Sequence, residues 1–375
     1  MKKSIANRSF FAAATFAAFQ IFTHCSKKED PMPKGIDAVF VGSSDNKLYA
    51  LNSKTGAKLW DFATKGTVHS SPTLAIGMAI VGSSDQNIYA VDLKTGAKVW
   101  EFALDMGISS APTVSGNTVY VGMGGTSNFT SKLYALDVVT GAKQWEFVAD
   151  GISISSPTVV NGKVYVGGFN NLYALDAKKG TKLWEFGTGA GVDSSPSVVD
   201  GVVYVGSNDY NVYALDAETG AKKWNFSTGG EVSSSPTVSG GSLYIGSFDR
   251  KLYAVNSQTG AKLWEFRTDG PVLSSPSVSN GVVFVASNDH KMYAVDAKTG
   301  AKKWETWSTN RIQASPVVTD SLAYVGGIDG RFFAVDVQSG AKKWEFQTGG
   351  AVYSSAAVLS SSSKTYFSGV SGLQQ

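Results

Sequence analysis

The sequence predicts an all-β protein, an eight-bladed β-propeller of four-stranded antiparallel blades, and three observations carry that prediction. Tryptophans recur at Trp60, Trp100, Trp145, Trp184, Trp224, Trp264, Trp304 and Trp344, spaced by 39 to 45 residues and mostly by 40. The 375 residues include 41 glycines, 15 tyrosines and 20 phenylalanines, which favours many short strands joined by tight turns. No segment keeps a helical period of apolar residues over about ten positions.

The tryptophan marks a repeat that fills the chain, and such a period is the signature of a repeat architecture. Each copy carries Ala, then Asp or Asn two residues later, then Gly, then Trp, as in Ala214, Asp216, Gly220 and Trp224. The alanine and the glycine occur in all eight copies. Four strands are predicted per copy: one around Pro196 (SSPSVV), a second after the Asp200-Gly201 turn (VVYVGS), a third after Asn208-Asp209 (VYALDA) and a fourth after Glu218-Thr219-Gly220 (KKWNFS). Each is expected to run about five to seven residues, with Gly, Asn or Asp at every junction to supply left-handed backbone angles. The second and third strands are continuous apolar runs, which means a sheet covered on both faces. Sheets repeating every 40 residues and packed on both sides close into a propeller, whereas an open stack leaves bare terminal edges.

Closure is also expected from the ends of the repeat. The first copy begins at Asp37 with its second strand (AVFVGS) and lacks the first, while the last ends with a surplus first strand at 351–359. The C-terminal strand should complete the N-terminal blade. The segment 365–370 (TYFSGV) resembles a second strand and competes with 38–43 for one place, and the sequence alone does not choose between them.

The tryptophans are expected to dock blade against blade, because a buried indole removes on the order of 200 Å² from water. The Asp or Asn eight residues before each one, with the Thr before the glycine, suits an Asx-type turn that holds the indole. The aspartates Asp45, Asp85, Asp209, Asp249, Asp289 and Asp329 recur at another turn and read as turn formers, with a cation-binding ring as the alternative.

Residues 1–24 carry Lys2, Lys3 and Arg8 and then an apolar run from Phe10 to Phe22, with no acidic residue. That run is short for a membrane span and has the charge layout of a secretory signal. The single cysteine, Cys25, follows directly. Phe22-Thr23-His24-Cys25 resembles the box of a bacterial lipoprotein precursor, with Phe22 and His24 standing where that pattern has leucine and a small residue. The resemblance implies a lipid on Cys25, and with Ser26 rather than Asp after it, anchorage in an outer membrane facing the periplasm or the cell surface. Residues 25–36 read as a tether with Pro31 and Pro33, and 37–375 as the propeller. Without residues 1–24, basic and acidic residues are equal in number, which gives no electrostatic reason to expect nucleic acid.

The unit from Ala214 to Trp224, repeated over residues 37–360, resembles the tryptophan-docking repeat of the pyrroloquinoline-quinone (PQQ) propeller superfamily. The competing tryptophan-aspartate repeat carries a Gly-His pair in each blade, whereas beyond residue 24 this chain has only His69 and His290. The superfamily includes quinoprotein dehydrogenases and non-catalytic relatives such as BamB, a lipoprotein of outer-membrane assembly. Membership of the first kind implies PQQ, calcium, a catalytic aspartate and a pair of adjacent cysteines, together with long insertions around the active site. Cys25 stands alone, and every interval from a blade tryptophan to the next first-strand proline is 12 residues, with Ala356 in place of the last proline. No phosphate loop, nucleophile elbow or paired-histidine metal motif is present. The expectation is a non-catalytic, monomeric scaffold with no cofactor and with protein partners in the cell envelope. The alternative is a PQQ-dependent oxidoreductase or a binder of small ligands such as glycans.

In so regular a repeat the departures mark candidate function. One is a variable position three residues before each first-strand proline: His69, Ser109, Ile154, Asp193, Ser233, Leu273, Gln313 and Tyr353. Another is a five-residue insertion between the second and third strands of the third copy, near residues 124–130 and bringing Phe129; a third is Trp307, an extra aromatic expected in the loop leading to Arg311. Propeller geometry puts the start of each inner strand at the channel mouth, on the face shared by the interblade loops and the turns between second and third strands. These residues are therefore a candidate binding face, with neutral variation in solvent as the alternative reading.

Overall fold

The computed structural model describes residues 35–124, 130–150, 155–361 and 364–367. The expected signal segment, Cys25 and the expected tether up to residue 34 lie outside the described residues, as do Phe129 and Ile154. The described chain forms eight antiparallel sheets, one per repeat. In the fifth, the strands are Ser197–Val199, Val202–Gly206, Asn211–Asp216 and Lys222–Ser227, ordered from the axis outward. Ala214 sits opposite Tyr204 on one side and Trp224 on the other, and the register shifts by a bulge between Ala214 and Leu215. The same bulge recurs in the other blades; the extra residue increases local twist.

The inner strands are two or three residues long, shorter than the sequence suggests. The reason lies in the Ser-Ser-Pro segment. Proline has no N–H to give a ladder, and the serine hydroxyls take over. The first serine closes its own blade: Ser194 Oγ accepts from Gly206 N at 3.0 Å, and Ser234 Oγ from Gly246 N at 3.0 Å while donating to Ser274 O of the next blade at 3.1 Å. The second links neighbouring blades. Ser195 N donates to Ser235 Oγ, Ser235 N to Ser275 Oγ, Ser275 N to Ser315 Oγ, Ser315 N to Ser355 Oγ and Ser355 N to Ser71 Oγ, at 2.8–3.1 Å. A relay of serines thus runs around the axis and satisfies buried backbone donors that no strand reaches.

The docking tryptophans couple the blades at the periphery. Trp184 Nε1 donates to Ala217 O of the next blade at 3.1 Å, and Tyr165 Oη donates to the same carbonyl at 3.1 Å, using both of its lone pairs. The pairing of indole with a carbonyl of the following blade repeats for all eight tryptophans, ending with Trp344 Nε1 on Ser53 O. Each Asx turn supports its neighbour's indole rather than its own. Asp216 Oδ1 accepts from Glu218 N, Thr219 N and Thr219 Oγ1, which presents Gly220 to the ring of Trp184. Gly220 has φ +73°, and a Cβ there would lie 2.7 Å from Trp184 Cε3. Gly220→Ala is therefore expected to cost about 2–4 kcal/mol, from left-handed strain plus a displaced indole, measured by urea unfolding.

The ring closes with the C-terminal strand. Ala357–Leu359 pairs antiparallel with Ala38–Phe40 and supplies the missing inner strand of the first blade. The competition for the second-strand place is resolved in favour of Ala38–Ser43. Thr365–Tyr366 instead pairs with the other edge of Ala357–Leu359, as a fifth strand on the axial side. Tyr366 is buried there among Val317, Tyr324 and Val358. The chain ends meet at this seam: Gly35 N donates to Ser361 O at 3.1 Å, and Ser361 N to Asp37 Oδ1 at 2.8 Å.

Candidate functional site

Two sets of loops share each face of the ring. On one, the turns between second and third strands bond to the interblade loops: Asn208 N to Gly191 O, Phe248 N to Glu231 O, Asn288 N to Pro271 O and Ile328 N to Arg311 O, at 2.8–3.1 Å. On the opposite face, turns between third and fourth strands bond to those between first and second, as in Ala217 N to Gly201 O. The first face is the one that carries the variable positions.

Several of those positions touch across blades. His69 Nε2 lies 2.9 Å from Ser44 Oγ, and its ring meets Tyr353 edge-on at 5.0 Å. Asn208 bridges two others, donating from Nδ2 to Asp193 Oδ2 at 2.8 Å and accepting from Ser233 Oγ at 3.3 Å. Leu273 is buried, while Ser109 and Gln313 are half-buried. Burial holds the His69 imidazole below its ordinary pKa of 6.5. The unfolded chain then takes up this proton first, so His69 lowers stability as pH falls through the ordinary imidazole range. His69→Gln is expected to flatten the pH dependence of the denaturation midpoint between about pH 7 and 5.

Trp307 does not lie in a loop. It is the last residue of the outer strand Lys302–Trp307, opposite Lys291 in register, at the circumference of its blade rather than at the mouth. The strand continues this far because Lys291 pairs with it, and the Lys291 ammonium sits 4.2 Å from the centre of the indole. Arg311 is exposed in the interblade loop, its carbonyl fixed by Ile328 N. The insertion in the third blade lengthens the hairpin Thr130–Asp137 and Lys143–Asp150 to eight residues a side.

The recurrent turn aspartates are engaged in structure. Asp209 Oδ1 accepts from Asn211 N, and Oδ2 from Tyr213 Oη at 2.7 Å and Gly189 N at 2.8 Å. Asp249 does the same with Lys251 N, Tyr253 and Gly229 N. Each carboxylate ties a turn, a strand and the preceding interblade loop together, and burial followed by the bond to Asp209 raises the Tyr213 phenol above its ordinary pKa. Among the described residues no three His, Cys, Asp or Glu side chains converge as a metal site. That donor set does not fit calcium held with a quinone, which needs several free oxygens at one point.

One feature of this face is invisible along the repeat. Between the fifth and sixth blades lies a cleft of about 410 Å³ lined by Tyr210, Gly229, Gly230, Glu231, Phe248 and Asp249. Tyr210 is 49% exposed and Phe248 39%. Tyr210 has φ +73°, at a turn position that elsewhere holds Asn46, Gln86, Arg250, His290 or Gly330. A comparison of that one position across blades is the signal that singles it out.

The fold has solved counterparts. BamB from Moraxella catarrhalis matches over 81% of this chain and 96% of its own, with 20% identity and a TM-score of 0.66. The computationally designed Ika8 protein matches over 90% and 98%, with 14% identity and a TM-score of 0.68. At these identities the likeness is one of fold. No curated protein matches the sequence directly. The family model described as outer membrane protein assembly factor BamB matches residues 30–151, 130–234 and 227–372, nearly the whole propeller. With eight docked blades and the described ring accounted for by that match, the chain belongs to the BamB family of PQQ-like β-propellers.

Proposed function

We propose that this protein is a non-catalytic assembly scaffold of the outer membrane, lipid-anchored through Cys25 after removal of residues 1–24, monomeric, and binding protein partners of the cell envelope through the face that bears His69, Asp193, Ser233, Gln313 and Tyr353. The observation that carries the reading is the contrast within the repeat. Docking residues are constant from blade to blade, while the variable positions gather on one face and contact one another across blades. Family membership supports the assembly role, since the matching model is described by that role. The turn carboxylates of Asp209 and Asp249 are engaged in hydrogen bonds that hold turns, strands and interblade loops together, which supports a structural role for them.

A photo-crosslinking residue placed at Gln313 or Asp193 is expected to trap envelope proteins in cells, and one placed at Lys298 on the opposite face to trap none of them. Equal yields from both faces, or dye reduction on adding PQQ and calcium, would overturn the reading. Cys25→Ser is expected to move the protein from the membrane to the soluble fraction, checked by fractionation and by mass spectrometry of the N-terminus.

A further inference from the structure

We infer that the cleft between the fifth and sixth blades is a cation-binding subsite, shaped for the guanidinium or ammonium group of an arginine or lysine side chain presented by a protein partner. Four observations converge on it. The walls are two exposed aromatic rings, Tyr210 and Phe248, on consecutive turns of the same face. Aromatic faces attract cations through their quadrupole, more strongly when water is partly excluded. The cleft also holds Glu231, which forms no ion pair among the described residues, and Asp249. No lysine or arginine lines the walls: Lys251 is bonded to Glu265 at 2.7 Å and lies over Tyr253, and Arg250, exposed in the same turn as Phe248 and Asp249, is a neighbouring positive charge outside the lining.

Three residues of the cleft, Tyr210, Glu231 and Phe248, differ from their counterparts in other blades. The position of Glu231, which gives its carbonyl to the following turn, is held by Thr67, Gly191, Pro271, Arg311 and Ala351 in other loops. Phe248 stands where the corresponding turns have Ser44, Ser84, Asn208, Asn288 and Ile328, and is the aromatic among them. Gly229 and Gly230 leave the floor bare, and a Cβ on Gly230 would press on Asp249 N at 2.9 Å. Tyr210 keeps a left-handed backbone that costs a non-glycine residue on the order of 1 kcal/mol, and its ring remains half in solvent. Asn46, Gln86, Arg250 and His290 share that backbone at their own turns, so what distinguishes Tyr210 is an exposed aromatic ring beside the carboxylate of Glu231, which points to a ligand.

The volume accommodates a guanidinium with its alkyl stem and lies at the lower end of small-ligand sites. A partner offering several basic side chains would place one here and others along the acidic turn row that includes Asp209 and Asp249. The source of the cation rests on the protein-binding reading above; the subsite itself does not.

The test is titration of the full-length protein in detergent with N-acetyl-arginine amide, followed by saturation-transfer NMR, with N-acetyl-citrulline amide as the neutral isostere. Saturable binding of the arginine probe is expected, weakened about tenfold by Glu231→Gln and about threefold to fivefold by Tyr210→Gly or Phe248→Ser. Raising salt from about 0.15 to 0.5 M should weaken it further. Tyr210→Gly relieves the strained φ, as Gly330 does in the eighth blade, so its melting temperature should hold or rise while binding falls. Absence of saturable binding, equal binding of the citrulline probe or an unchanged affinity in Glu231→Gln would each overturn the inference; the citrulline result would mark a site for neutral ligands such as sugars. Crosslinks at Gln313 that persist when the probe does not bind would leave the scaffold role standing and remove only this subsite.

Discussion

Deleting residues 351–375 is expected to abolish the cooperative unfolding transition or lower its midpoint by more than about 15 °C. The deletion removes Val352, Ala356, Ala357, Val358, Leu359 and Tyr366 from buried positions and strips the first blade of its inner strand. At about 1–2 kcal/mol for each apolar side chain, the loss approaches the whole stability of a typical domain, about 5–15 kcal/mol. It also cuts the serine relay at Ser355, frees Gly42 N from Ser354 Oγ and exposes the edge of Ala38–Ser43. Circular dichroism during heating checks this, and a synthetic peptide of residues 351–375 added in trans should restore part of the transition. Stopping the chain at Ser361 instead removes only the axial fifth strand and should cost about 1–3 kcal/mol, chiefly for Tyr366. A stable, cooperative protein after the larger deletion would mean that the ring does not depend on its seam.

Trp224→Ala is expected to destabilise by about 3–5 kcal/mol, the range for removing a large aromatic from a packed interface. The indole lies against Gly260, is 5.8 Å from the Tyr204 ring centre and donates to Ser257 O at 3.0 Å. Trp224→Phe keeps much of the apolar contact and should lose about 1–2 kcal/mol, mainly the indole hydrogen bond. The ratio between the two variants separates packing from hydrogen bonding. Trp344→Ala makes the same local change at the seam, where the indole of the eighth blade sits on Gly56 and Ser53 of the first. Urea unfolding of both gives the comparison, with the m-value reporting whether one blade detaches before the rest. A loss below about 1 kcal/mol for Trp224→Ala would show that the serines at the axis, not the indoles at the rim, hold neighbouring blades together.

Much of this architecture is legible in the sequence because each blade repeats the same local rules. The glycine and tryptophan are separated by only four residues in a blade, yet their contacts run to the blades on either side, so the spacing alone reveals the motif and not its direction. The inner strands run shorter than their apolar pattern because serine hydroxyls replace backbone partners ahead of Pro196 and its equivalents, a substitution that hydrophobic periodicity does not register. Trp307 reads as a loop residue because Thr306 interrupts the usual Trp-Glu-Phe, and only the cross-strand partner Lys291 shows that the strand continues. Tyr210, Glu231 and Phe248 come from two turns and a loop, successive members lying 21 and 17 positions apart. Each is unremarkable within its own repeat, and the cleft exists only because consecutive blades bring them side by side.

The bond between Gly35 N and Ser361 O means that the polypeptide leaves the ring beside the point where it enters. Where translation starts is therefore separable from where the circle is mechanically joined. A short linker between those residues, with new ends cut in an exposed turn such as Asp200-Gly201, would give a circular permutant whose first blade is formed from contiguous sequence and whose weld lies in the fifth blade, between Ser197–Val199 and Val202–Gly206.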